Sequence, residues 1–294
     1  MKTLRNFALI PVLAILALSS LGIAATPAPP KFTYTPLTVP GATSTQLFAI
    51  NNSAVIVGDY VDTAGVTHGV MISGTKRTTI NHPKAVVGTY LFGINSTGTI
   101  AGLYQDGVGG YYGFTYKGGK FTPINPAGST ITTVYGINDA GVVTGSYFDA
   151  NLNLRRGFYG SPTTGYTILD VPKSTSTLGW GINKAGNITL VWIDTAGLRH
   201  GSLYTVATKK FLTLNVPGST ETLIRGIDTA GDIINVYTDA AGTHSALRTG
   251  GKYYKFSDPV QPNNTRVTGI NDKRMMIGNV VDINGNWSGI KVAY

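Results

Sequence analysis

Residues 134–149 read VYGINDAGVVTGSYFD. Near copies stand at 91–106, LFGINSTGTIAGLYQD, and at 224–239, IRGIDTAGDIINVYTD. The shared core is a Gly-Ile-Asn anchor, found as Ala49-Ile50-Asn51, Gly93-Ile94-Asn95, Gly136-Ile137-Asn138, Gly181-Ile182-Asn183, Gly226-Ile227-Asp228 and Gly269-Ile270-Asn271. Successive Asn or Asp positions are 44, 43, 45, 45 and 43 residues apart. A fixed period of this length signals a repeat architecture.

Each unit reads as four strands. An apolar strand ends in the anchor, and a turn of form [ND]-x-x-G follows, as at Asn138–Gly141. A second strand runs into a D-x-x-G turn at Asp62, Asp106, Asp194, Asp239 and Asp282, while the turn at Asp149 lacks the Gly. Third strands (HGVMIS, YGFTYK, RGFYGS, HGSLYT) and fourth strands (YTILDVP, FLTLNVP) complete the units. Asp or Asn opening a turn bonds its own backbone, and Gly three residues on accepts the left-handed conformation. Four antiparallel strands per period of about 44 residues is the pattern of a β-propeller blade.

The chain ends complete the reading. The sixth unit stops after its third strand, SGIKVAY at 288–294, while a lone fourth-strand look-alike, FTYTPLTVP, lies at 32–40. Pairing the two closes a ring and removes an exposed edge. The expectation is an all-β, six-bladed β-propeller over residues 32–294, its last blade completed by the N-terminal strand.

Composition agrees. The 294 residues include 38 Gly and 16 Tyr, only 13% charged residues, and a single Glu, Glu221. Thr, Tyr, Val and Ile suit pleated surfaces, and helix-forming Glu is nearly missing. Lys2 and Arg5 precede an apolar run from Phe7 to Leu18 and then small residues through Ala25, which predicts a secretory signal peptide over 1–25 and a linker over 26–31. A secreted protein, extracellular or periplasmic, is expected, with no membrane span. The lack of Cys excludes disulfides, thiol catalysis and Cys-based metal sites. Net charge is +9, or +7 once Lys2 and Arg5 leave.

The units resemble the HAF-type repeats of extracellular bacterial proteins, whose pattern runs G-I-N-x-x-G-x-I-x-G, then H-G/A-F, then I-D-x-P-G-A. The resemblance covers 32–294, with the middle motif varied: His68-Gly69-Val70, Tyr112-Gly113-Phe114, Arg156-Gly157-Phe158, His200-Gly201-Ser202 and His244-Ser245-Ala246. It implies export and a repeat fold, and it carries over no catalytic residue.

Candidate chemistry comes from positions that recur or break the repeat. The six turn Asp residues read as caps of their own turns. His68, His200 and His244 start third strands on separate units, so a bond to the adjacent hairpin is expected in place of shared metal ligation. Glu221 with Asp194 or Asp239 is the one carboxylate pair a polysaccharide hydrolase or lyase could use. No G-x-S-x-G, H-E-x-x-H, P-loop or dinucleotide fingerprint occurs. Third-to-fourth turns are basic (Lys76-Arg77, Lys117 with Lys120, Lys209-Lys210, Arg248 with Lys252), which suits an anionic cell-surface polymer or the protection of edge strands. Nucleic acid is not expected for an exported protein without interleaved stacking motifs.

Before each anchor stands Phe48, Phe92, Tyr135, Trp180, Arg225 and Thr268. The expectation is that the aromatic members pack with the anchor Ile between neighbouring blades, with sugar stacking in the channel as the functional alternative. The reading is a non-catalytic binding or scaffold module for a glycan or cell-envelope component, monomeric, with neither cofactor nor metal. Its candidate binding residues are Glu221, Arg225, Trp180, Tyr135, Phe92, His200, His244, Lys209 and Lys210.

Overall fold

The computed structural model describes residues 31–126, 129 and 131–294. The expected signal peptide (1–25) and all of the expected linker except Lys31 lie outside the described residues. No helix among the described residues is long and apolar enough to cross a membrane.

The chain is an all-β propeller, with 24 strands among the described residues. The first complete unit is β2 (Ser44–Ile50), β3 (Val55–Val61), β4 (Thr67–Ser73) and β5 (Lys76–Ile80), after an isolated β1 (Thr33–Pro36). The second is β6 (Gly88–Ile94), β7 (Ile100–Gln105), β8 (Tyr111–Lys117) and β9 (Lys120–Ile124). The third is β10 (Thr132–Ile137), β11 (Val143–Asp149), β12 (Leu154–Ser161) and β13 (Gly165–Leu169). The fourth is β14 (Ser176–Ile182), β15 (Asn187–Ile193), β16 (Arg199–Thr205) and β17 (Lys210–Thr213). The fifth is β18 (Glu221–Ile227), β19 (Ile233–Asp239), β20 (Gly242–Thr249) and β21 (Lys252–Phe256). Last come β22 (Thr265–Ile270), β23 (Met276–Val281) and β24 (Trp287–Ala293).

Strand β1 pairs antiparallel with β24, Tyr34 opposite Val292, so the N-terminal strand completes the last sheet. Units three, four and five are separate four-stranded sheets, as is β22–β23–β24–β1. The expectation of equally separate blades differs for the first two units, which form one eight-stranded sheet. The reason is local: β4 meets β6 through one parallel pair, Thr67 with Gly88. The same third-strand to next-first-strand contact stays an isolated bridge at Tyr111–Ile131 and Thr243–Asn264.

The anchor explains itself atom by atom. Asn138 Oδ1 accepts the backbone N–H of Ala140 and Val142, closing the first turn, and Gly141 follows at φ +76° in open space. Ala54 and Arg274 take that left-handed place in the first and last units. The amide nitrogen of Asn138 points away and donates to the Asn183 carbonyl of the next unit at 3.3 Å. Asn51 does the same to Asn95, Asn95 to Asn138, Asn183 to Asp228, and Asn271 to Asn51. The anchor Gly serves close approach: a Cβ on Gly136 would lie 2.5 Å from the Trp180 carbonyl oxygen. First strands thus crowd the axis.

A second ring was not evident in the sequence. Thr45, Thr89, Thr132, Thr177, Thr222 and Thr265 are all buried. Five of their hydroxyls accept a backbone N–H from the preceding connector, at Val39, His82, Val171, Val216 and Asp258. The apolar core lies between units: Val57 and Ile80 pack with Leu91 and Phe114, and Ala101 and Ile124 with Val134 and Phe158. Burial between faces, at about 25 cal/mol per Å², is the main force holding a ring that has no disulfide.

Candidate functional site

The turn carboxylates are occupied. Asp62 Oδ1 accepts the N–H groups of Ala64 and Val66, and its Oδ2 meets His68 Nε2 at 3.0 Å. Asp194 repeats this with His200 at 2.9 Å, and Asp239 approaches His244 at 3.3 Å. The bond to His and then the backbone donors hold Asp62 and Asp194 below the usual carboxylate range. The far ring nitrogens of His68, His200 and His244 meet Asn81, Asn215 and Ser257 after the fourth strand. Each His therefore ties its own hairpin to its own outer strand. Tyr112 and Arg156 replace it on Asp106 and Asp149. Among the described residues no three His, Asp or Glu side chains gather as a metal site.

Glu221 is not brought to a carboxylate partner. Its Oε2 pairs with Arg199 Nη1 at 3.4 Å, and Asp194 and Asp239 are engaged with their histidines. Lys209 and Lys210 stand exposed on the outer hairpin between β16 and β17.

Residues before the anchors line the axis. Phe48 contacts Phe92 (ring centroids 4.9 Å apart), Phe92 contacts Tyr135 (5.2 Å), and Tyr135 stacks on Trp180 (4.3 Å). The Arg225 guanidinium lies 3.7 Å from the Trp180 ring centroid, and Thr268 Oγ1 donates to the Leu47 carbonyl. The aromatic members, Thr268 and the anchor positions line a cavity of about 120 Å³, while the anchor Ile side chains are buried in the hydrophobic clusters. The rings thus pack against those of neighbouring units, as expected, but they stay half-buried and face the axis. Strand alternation turns the preceding residue inward instead, as for the fully buried Leu47, Leu91 and Ile224.

At one end of the axis, Arg225 and Arg266 share a cavity of about 190 Å³ with Gln46, Phe48, Trp180 and Trp287. Burial, with like charge from Arg266 and Arg199, pulls the Arg225 guanidinium down to about 10.

A larger hollow of about 520 Å³ lies on the outer part of the second unit, and sequence reading missed it. His82 stacks flat on Tyr104 (3.8 Å, 4°), Tyr104 stacks on Tyr112 (5.0 Å), and Phe121 meets His82 edge-on. Lys84, Lys120, Asn125 and Ser129 supply polar edges. Burial, with Lys84 nearby, holds the His82 imidazole below its ordinary range. The available signal was His82 itself: it precedes Pro83 where Val39, Val171 and Val216 precede Pro elsewhere.

No protein-family model matches the chain, and no curated protein sequence matches it. Solved structures do. A lectin from Aleuria aurantia in complex with Fucα1-6GlcNAc superposes with a TM-score of 0.52 at 10% identity, covering 85% of this chain and 93% of that one. The SapL1 lectin in complex with α-methyl fucoside gives 0.53 at 14% identity over 81% and 88%. AofleA from Arthrobotrys oligospora gives 0.52 at 10% identity over 89% and 82%. At such low identity the likeness is one of fold alone: this chain shares the all-β propeller architecture of those structures.

Proposed function

We propose that this chain is a secreted, non-catalytic carbohydrate-binding propeller, its two merged units counted as two blades of six. The observation that carries the binding reading is the aromatic hollow of the second unit. Stacked His82, Tyr104 and Tyr112 with Phe121 offer ring surfaces to the C–H face of a sugar, and Lys84, Lys120 and Asn125 offer polar edges to its hydroxyls. A concave, aromatic-lined site with few polar groups is the usual form of a small-ligand pocket. The fucoside ligands of the similar lectins support a neutral sugar as ligand. Export and the HAF-type relationship belong to the same proposal and rest on the N-terminal sequence and the repeat motifs. The hydrolase or lyase alternative is less well supported, since Glu221 pairs with Arg199 while Asp194 and Asp239 pair with His200 and His244.

Calorimetric titration of residues 26–294 with α-methyl fucoside and neutral oligosaccharides tests it. Saturable binding by at least one of them is expected, weakened at least tenfold (about 1.4 kcal/mol) by Tyr112→Ala. No binding to any, or binding indifferent to Tyr112→Ala, would overturn the assignment.

A further inference from the structure

We infer that the cavity shared by Arg225 and Arg266 is a binding site for a carboxylate-bearing sugar, of the uronic acid class. Arg225 sits deep at the axis on β18, and its Nε is sealed from solvent with no hydrogen-bond partner. Among the described residues no acid pairs with it. The charged groups acting on it are the like charges of Arg266 and Arg199, and the one Glu of the chain is spent on Arg199. Arg266, half-buried on β22, reaches only the Asn264 side chain at 3.4 Å and lies 5.4 Å from the Trp287 ring. A largely buried cation that has an aromatic ring but no acid beside it is costly, and such a group is explained when a ligand supplies the missing charge.

The chemistry selects the ligand. A guanidinium presents N–H donors in a planar fork that matches the two oxygens of a carboxylate. Trp180 backs the Arg225 fork from one side, fixing its plane. Phe48 and Trp287 provide apolar wall for a ring, and the Gln46 amide lies on the same lining for a hydroxyl. The repeat underlines the specialisation: the equivalents of Arg225 are aromatic in four units and Thr268 in the last. This site is separate from the aromatic hollow of the second unit, and it takes a charged ligand where that one takes a neutral sugar. Either can fail without the other.

Two of the three Trp residues line the cavity, so intrinsic fluorescence reports occupancy. D-glucuronate is expected to change it saturably and to raise the melting temperature of residues 26–294, because binding the folded state alone stabilises it. D-glucose, which lacks the carboxylate, is expected to leave the Trp fluorescence unchanged, whatever it does at the hollow of the second unit, which has no Trp. Arg266→Gln and Arg225→Gln should each weaken glucuronate at least tenfold, while Lys209→Ala on the outer hairpin leaves it unchanged. Should Arg225→Gln fail to fold, Arg266→Gln decides, since its guanidinium is only partly buried. Equal fluorescence responses to glucose and glucuronate, no saturable response, or wild-type affinity in Arg266→Gln would each overturn the assignment.

Discussion

Asp59, in the middle of β3, is a carboxylate with 2% of its surface exposed. Burial alone pushes it up to about 8 from 3.8. In the last unit the same place holds Asn279, whose Oδ1 accepts the Leu47 N–H at 2.7 Å and whose Nδ2 donates to the Leu47 carbonyl at 3.0 Å. An ionised Asp has no hydrogen for the second bond; a protonated one does. A raised carboxyl pKa means the folded state holds a proton that the unfolded chain has released. Its stabilisation is complete below about pH 4 and is lost as pH rises towards 8, by about 1.4 kcal/mol per unit at most. Asp59→Asn should therefore be close to neutral at pH 4.5 and stabilising at pH 8.5. Denaturant unfolding at the two pH values checks this, and an equal effect at both would show that Asp59 does not titrate across the interval.

At the scale of the strand, the anchor glycines and the turn glycines resemble each other in sequence and differ in cause. Gly141 has open space around an added Cβ, so an Ala there meets only the strain of the left-handed conformation, on the order of 1 kcal/mol. Ala54 already lives with that strain in the first unit. Gly136 has an ordinary backbone conformation but faces the Trp180 carbonyl at 2.5 Å, the tightest of the five anchor glycines. Backbone of a neighbouring strand cannot swing aside as a side chain can. Gly136→Ala should cost about 1–3 kcal/mol through overpacking, and should disturb the fluorescence of the adjacent Trp180. Gly141→Ala should leave that fluorescence unchanged. Urea unfolding with emission spectra separates the two. Local chemistry of this kind was legible beforehand: Asx turns, strand alternation and the His-to-hairpin bond all act within about six residues. What crosses from unit to unit was not, because neither the Thr89 hydroxyl on its connector nor the flat stack of His82 on Tyr104 leaves a spacing to read.

At the scale of the whole molecule, closure is made twice, by β1 on β24 at the periphery and by side-chain amides at the axis. The axial ring runs in one direction, each Asn donating to the next anchor carbonyl, and it breaks at one place. Asp228 accepts the Asn183 amide on its carbonyl, and its Oδ1 accepts the N–H of Asp232, yet an ionised carboxylate has nothing to donate towards Asn271. Burial first, then the charges of Asp232 and Asp272, raise its pKa above the ordinary carboxylate range. The sign matches Asp59: the contribution to stability is largest in acid, where a protonated Asp228 can donate, and falls as the group ionises. Asp228→Asn supplies the missing donor at every pH and removes one member of a repelling trio. One added hydrogen bond is worth about 1 kcal/mol, which in a domain of this size moves the melting temperature by about 2–4 °C. The gain should appear at pH 8 and shrink towards pH 4. A variant no more stable than wild type at pH 8 would mean that the break at Asp228 costs the ring nothing.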